Sequence, residues 1–272
     1  MHPNIKILLW HYPFGHKFDI SGDVCWEKYN IPGCTLHSNR SQFLSADVVV
    51  FHHNELKNGA QKLPLHLCRP PEQKWLWLSL ESPASNGNLF AYNGLFNWTM
   101  SYRQDADIFM PYGELIPRTN TTEDIIPKNK SFLACWVVSN YKPSHRRSQI
   151  YQSLKKLIKV EVYGRWVNRR LNSEELLPTI SRCYFYLAFE NAQFKDYITE
   201  KFWYNSFQAG AVPVVLGPPR ENYKLLAPPS SFIHVDDFDS LDSLTEFLKQ
   251  VASNQTRSSF FEVLQLIPEI DT

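Results

Sequence analysis

Residues 183–189 read CYFYLAF, seven side chains in a row with no charge among them. Successive side chains of an extended strand point to opposite faces, so a strand of this composition needs apolar cover on both. Parallel sheets with helices packed over each face meet that need, and a half-solvated antiparallel sheet does not. Other runs share the character: IKILLW, ADVVVF, KWLWLSL and ADIFMPYG in the first half, and FLACWVV, VEVYG and VPVVLG in the second.

Helical segments separate the strands of the second half. Ser144 is placed to cap a helix with Ile150, Leu154, Leu157 and Ile158 on one face. A short helix follows Asn172 or Ser173 through EELLPTI, and Ser240 starts another through LDSLTEFLKQVA. Between them Asp196 or Thr199 caps a helix that turns Phe202, Trp203, Ser206 and Phe207 to one side and ends at Gly210. This is β-α-β-α-β order, the grammar of a parallel sheet. In the first half the connections are polar and their periodicity is weak. Residues 117–130, PRTNTTEDIIPKNK, lose hydrophobicity and read as a linker. At roughly 150 residues per domain, 272 residues make two α/β domains of Rossmann-like type, predicted at 1–125 and 126–272.

A net charge of +1 gives no general reason to expect nucleic acid or an acidic membrane surface as partner, so any anion site must be local. No stretch approaches the roughly 18 apolar residues that span a bilayer, and MHPNIKILLW lacks a signal-peptide layout. Glycosylation sequons at Asn39, Asn97, Asn120, Asn129 and Asn254 favour a lumenal or secreted history. The five cysteines include no CxxC pair and no zinc-ligand spacing. Cys25 and Cys34 flank a short loop that an oxidising compartment would let them close. Five buried small thiols are the alternative.

Ligands of open α/β sheets bind beyond the carboxyl ends of the strands. Glu190 and Asn191 follow CYFYLAF there, and Glu200 and Lys201 open the next predicted helix. A lysine at an already positive helix start suits an anion, with Arg146 and Arg147 approaching from the preceding unit. Glu200 suits paired hydroxyls, as on a ribose, and the set together suits a nucleotide diphosphate. By spacing alone a solvated Glu–Lys pair is the plainer reading, because the two are common first-turn neighbours. Neither GxGxxG nor GxxxxGK[ST] occurs. Glu81 ends a buried strand, where desolvation favours a general base; a turn residue bonded to nearby backbone is the plainer reading. His52 and His53 are adjacent and point to opposite faces, which speaks against one shared metal. Asp105 and Asp107 have DxD spacing but enter a first-half strand and read as structural.

The ordered motifs YFYLAFENAQFKDYITEKFWYNSFQAGAVPVVLGPPRENY, FIHVDDF, KWLWLSLESP, NWTMSYRQDADIFMPYG and CWVVSNYKPSHRR resemble the animal α-1,3-fucosyltransferases of glycosyltransferase family 10. The resemblance covers about residues 5–260. It implies a GT-B fold, with an N-terminal acceptor domain and a C-terminal domain that binds GDP-β-L-fucose. It implies an inverting transfer to O3 of N-acetylglucosamine in N-acetyllactosamine-type chains of glycoproteins or glycolipids, building Lewis x or sialyl Lewis x structures. Glu81 is then the general base. Arg147 and Lys201 hold the diphosphate, Glu200 the ribose, and Tyr186, Asn191 and Tyr197 surround the donor. His16 and Asn54 fall on the acceptor side; Asn54 stands where relatives carry Arg or Trp, and VVFHHNEL, YGRWVNRRL and TEKFWYN lean toward the branch that fucosylates sialylated chains. The family pattern also implies disulfides Cys25–Cys34 and Cys135–Cys183, with Cys68 odd. No tightly bound cofactor and no metal are expected. The expected setting is the lumenal face of the Golgi membrane, held by an anchor that this sequence does not include. After about Phe261 the chain leaves the family pattern, without the last helical segment and CxxC pair. A form that binds GDP-fucose or glycan without catalysis is therefore the second expectation.

Overall fold

The computed structural model describes residues 4–115, 130–253 and 270–271, and the chain divides into two units, Met1–Met110 and Pro111–Thr272. The proposed boundary at 125/126 and nearly all of the proposed linker lie outside the described residues.

In the first unit, strands β1 (Ile5–Leu9), β2 (Cys34–His37), β3 (Val48–His52), β4 (Lys74–Leu78), β5 (Trp98–Ser101) and β6 (Ile108–Phe109) form one parallel sheet in the order β2-β1-β3-β4-β5-β6. Helices α1 (Val24–Tyr29), α2 (His53–Lys57) and α3 (Pro83–Asn86) are one or two turns long. That brevity is why their periodicity is weak. The core is aromatic: Trp10, Phe43, Phe51 and Trp75 are buried, with Trp10 edge-on to Phe43 at 5.8 Å. A disulfide joins Cys25 of α1 to Cys34 of β2. The run ADIFMPYG contributes only the two residues of β6, both exposed at the sheet edge, so it is not a buried strand. Asp107 turns back to accept hydrogen bonds from the Thr99 N–H (2.8 Å) and hydroxyl (2.9 Å), and Asp105 accepts two from the Arg103 guanidinium, one of them from Nε at 2.7 Å. The DxD pair is structural, as read.

The second unit contains β7 (Glu114–Leu115), β8 (Phe132–Val137), α4 (Arg146–Leu154), β9 (Val160–Tyr163), α5 (Ser173–Ile180), β10 (Cys183–Phe189), β11 (Val212–Leu216), α6 (Arg220–Lys224), β12 (Ile233–His234), α7 (Leu241–Ser253) and β13 (Ile270–Asp271). Five strands form a parallel sheet in the order β12-β11-β10-β8-β9, while β13 pairs antiparallel with β7. The CYFYLAF run is the middle strand, and Phe185, Tyr186, Leu187 and Phe189 are wholly inaccessible. The disulfide Cys135–Cys183 ties it to β8, and Cys68 is free and exposed.

Two predicted helices differ in detail. Helix α4 starts after His145, without a side-chain cap, so Ser144 is not its cap. Its buried face is Arg147, Ser148, Tyr151 and Leu154; Ile150 and Leu157 are only partly buried. The predicted helix after Thr199 is a single six-residue π-helical turn, Trp203–Gln208. Phe202, Trp203, Ser206 and Phe207 are buried as expected, and Gly210 ends the turn at φ +68°.

Candidate active site

The chain leaves β8 toward β9 on one side, then returns to place β10 on the other. The loops after β8 and β10 therefore diverge, opening the crevice in which sheets of this kind bind ligands. A cavity of about 200 Å³ lies there, lined by His145, Arg146 and Arg147 at the start of α4 and by Glu190, Asn191 and Gln193 from the loop after β10.

Arg147 is only 5% exposed. Its terminal nitrogens donate to the Phe189 carbonyl (3.4 Å) and the Asn140 carbonyl. Burial lowers its pKa from the usual arginine value, although the nearby acids and tyrosines pull it back up. Among the described residues its Nε, the Asn191 Oδ1 and the His145 Nδ1 are buried without partners. Unpartnered buried polar atoms are rare in folded proteins, and here three of them belong to residues lining one cavity. Helix α4 also has no acid in its first turn and carries two arginines there, against its own dipole. Arg146 is satisfied by Asp236; Arg147 is not fully so.

Lys201 does not lie at a helix start, which revises the dipole argument for it. The segment 196–201 folds back against the end of β10, with Asp196 at φ +64°. The Thr199 N–H donates to Glu190 Oε1 at 2.8 Å, so that amide is not open to an anion. The Lys201 ammonium lies 3.1 Å from Glu190 Oε2 and 3.0 Å from Glu200 Oε1, and donates to the Thr199 hydroxyl at 2.7 Å. Burial alone would lower the lysine, but the two carboxylates hold it above the ordinary value. Burial likewise pushes Glu200 up, yet Lys201 brings it below the usual carboxylate range. Tyr197 is buried, edge-on to Tyr112 at 6.3 Å. Tyr186 is wholly buried and its hydroxyl accepts from Asn205 at 3.1 Å, so it stands behind the crevice and does not line the cavity.

In the first unit Glu81 follows β4 and is half-buried. Its N–H donates to the Ser79 hydroxyl (3.2 Å), its carbonyl accepts from Asn86 (3.0 Å), and Ser79 donates to Asn86 (2.8 Å). The backbone is thus pinned, while the carboxylate has no internal partner among the described residues. Asn54 lines a second cavity of about 520 Å³ with His11, Lys17, Arg40, Glu55 and Gln61. His16 is exposed and does not line it. His52 contacts Glu55 at 2.6 Å while His53 contacts the Asn86 carbonyl at 3.0 Å, so the two histidines do diverge. Among the described residues no group of three His, Cys, Asp or Glu side chains is close enough to hold a metal ion. Asn39 and Asn97 are exposed; Asn120, Asn129 and Asn254 lie outside the described residues.

Two Rossmann-type parallel sheets, one in each unit, are the architecture of the GT-B fold. The solved structure described as an alpha1,3-fucosyltransferase with GDP-fucose shares the fold at a TM-score of 0.63, over 97% of this chain and 81% of that one, at 19% identity. Residues 2–113 match the description "Fucosyltransferase, N-terminal" and residues 127–263 match "Glycosyltransferase family 10 (fucosyltransferase) C-term". The chain is 47% identical over 259 residues to alpha-(1,3)-fucosyltransferase 7 of Rattus norvegicus, covering 95% of this chain and 69% of that protein. It is 46% identical over 248 residues to 4-galactosyl-N-acetylglucosaminide 3-alpha-L-fucosyltransferase 9 of Mus musculus, covering 91% and 68%. The chain belongs to glycosyltransferase family 10.

Of the residues expected at the donor site, Arg147 and Asn191 line the crevice, and Lys201 and Glu200 connect to it through Glu190, to which the sequence reading assigned no role. The signal was a charged residue directly after seven uncharged ones, where burial is forced. Asn86 and Ser79 were also missed, because their partnership with the Glu81 backbone depends on how α3 folds back.

Proposed function

We propose that this chain is an inverting α-1,3-fucosyltransferase. It takes L-fucose from GDP-β-L-fucose and attaches it to O3 of N-acetylglucosamine in N-acetyllactosamine-type chains. The observation that carries the reading is the switch-point crevice, lined by a buried arginine with an unpartnered Nε, by an unpartnered asparagine oxygen and by Glu190, which lies 3.1 Å from Lys201. The names of the relatives support the fucosyl group and the linkage, and GDP-fucose is the molecule described with the similar solved structure. Arg147 and Lys201 balance the charge that gathers on GDP as the bond to fucose C1 breaks. Asn191 and Tyr197 border the donor, Tyr186 backs the pocket, and Glu200 accepts the ribose hydroxyls. Glu81 takes the proton from O3 as that oxygen attacks C1 from the face opposite the leaving group. One carboxylate base is enough for such an inversion.

The acceptor reading rests on Asn54 and its cavity. Lys17 and Arg40 in the lining favour an anionic acceptor such as a sialylated chain, giving sialyl Lewis x. No described helix is long and apolar enough to cross a membrane; the setting we propose is the lumenal face of the Golgi membrane.

The test is fucose transfer by the full chain from GDP-fucose to N-acetyllactosamine and to its α-2,3-sialylated form. Glu81→Gln should cut kcat by about 100-fold or more without weakening donor binding. Transfer that survives in Glu81→Gln rules out Glu81 as the base. No transfer by the parent chain, with GDP still raising its Tm, would point to a protein that binds without catalysis.

A further inference from the structure

Glu190 poses a physical problem that the fucosyl-transfer reading does not solve. Its side chain is 1% exposed and negatively placed, yet it borders a crevice read as binding a diphosphate. An anion beside an anion site weakens it unless the carboxylate serves another group.

Both oxygens of Glu190 are engaged as acceptors. Oε1 accepts from the Thr199 N–H at 2.8 Å and from its hydroxyl at 2.9 Å, and Oε2 faces Lys201 at 3.1 Å. Lys201 in turn donates to the same Thr199 hydroxyl at 2.7 Å. Glu190, Thr199 and Lys201 therefore close a ring of contacts on one carboxylate. That pattern fits the ionised form, because no atom of the ring requires a carboxyl proton; burial pushes the Glu190 carboxyl above its usual range, and Lys201 and the Thr199 hydrogen bonds oppose that shift. The other partner of Lys201 is of a different kind: the Glu200 side chain is 51% exposed. A phosphate can displace an exposed carboxylate from an ammonium, but Glu190 has nowhere to go.

We propose that Glu190 is the positioning residue of the donor site. It acts as the permanent counter-ion that holds Lys201 charged and aimed at the β-phosphate, while Glu200 is the exchangeable one, released to the ribose when the donor arrives. This rests on the donor assignment made above. The position of Gly217 fits the same role. A Cβ there would meet Glu190 Cγ at 3.1 Å and the Tyr223 hydroxyl at 2.5 Å, so the Gly217 backbone packs directly against the Glu190 side chain.

The experiment compares GDP with GMP, which lacks the phosphate that Lys201 would read, by calorimetric titration of the full chain. Lys201→Met should erase most of the preference for GDP and leave GMP nearly unchanged. Glu190→Gln should do the same, weakening GDP by about 30-fold or more, because its amide turns a donor toward the ammonium. The double variant should bind GDP no more weakly than Lys201→Met alone. If Glu190→Gln fails to fold, Thr199→Val, which removes the shared hydroxyl, should show a smaller loss of the same selectivity. An unchanged GDP-to-GMP ratio in Glu190→Gln, or in Thr199→Val where that stands in, overturns the proposal. Equal loss of both nucleotides marks Glu190 as merely structural and overturns it too. A parent chain that binds neither nucleotide removes the donor assignment itself. If Lys201→Met alone keeps the preference for GDP, the reading of Lys201 is at fault.

Discussion

Lys130 places an ammonium among three backbone carbonyls, those of Ser181 (3.2 Å), Cys183 (2.8 Å) and Gly210 (2.7 Å). Burial lowers its pKa from 10.5 to about 8. The folded value lies below the unfolded one, so between them the unfolded chain binds more protons and stability rises with pH. Thermal melts from pH 8 upward should show that rise in the parent chain and not in Lys130→Met. The variant should also lose about 1–3 kcal/mol near neutral pH, because three carbonyls lose their donor. A pH slope common to both chains would assign it to other groups. Lys130 sat in what read as a linker, and nothing about a lysine among polar neighbours announces three distant carbonyls. Arg147 was easier to read, since it follows a strand and opens a helix. Its burial and its unpartnered Nε depend on Phe189 and Asn140, contributed by distant or looped parts of the chain.

At the scale of elements, capping chemistry is local, and where it is local it is legible. Asn172 accepts from the Glu175 N–H at 2.8 Å, and Glu175 returns the contact to the Asn172 N–H at 3.0 Å. Asn172→Ala should cost about 1 kcal/mol, read as a lowered urea midpoint with an unchanged slope. No shift would mean that packing of α5 outweighs its cap. The turn after Thr199 departs from its local signal because the Thr199 hydroxyl, the group that would cap, is engaged by Glu190 at 2.9 Å and by Lys201 at 2.7 Å. At α4 the helix begins after His145 with no side-chain cap, although Ser144 was locally available. Strands β2 and β5 escaped notice because they lack long apolar runs; pairing with β1 and β4 makes them strands.

Each unit of the molecule builds its own core, and the disulfides work at this scale. Cys135–Cys183 closes a separation of 48 residues and Cys25–Cys34 one of 9. On chain-entropy grounds the longer closure should be worth about 1.5 kcal/mol more. Replacing each pair by alanine and comparing unfolding free energies checks this, and a larger loss at Cys25–Cys34 would contradict it. Composition and hydrophobic pattern alone determined the α/β class, the buried central strand and its neighbours in the second unit. Uncharged runs of that length have only one stable environment. The ordered motifs carried the family as well. What only the tertiary structure decided is the identity and partnership of the groups at the switch point. Strand order, which sets where the loops diverge, is a long-range choice that no window of sequence contains. So Glu190, Thr199 and Lys201 become one charged ring only when the loop after β10 folds back over its end, where burial makes each charge depend on its neighbour.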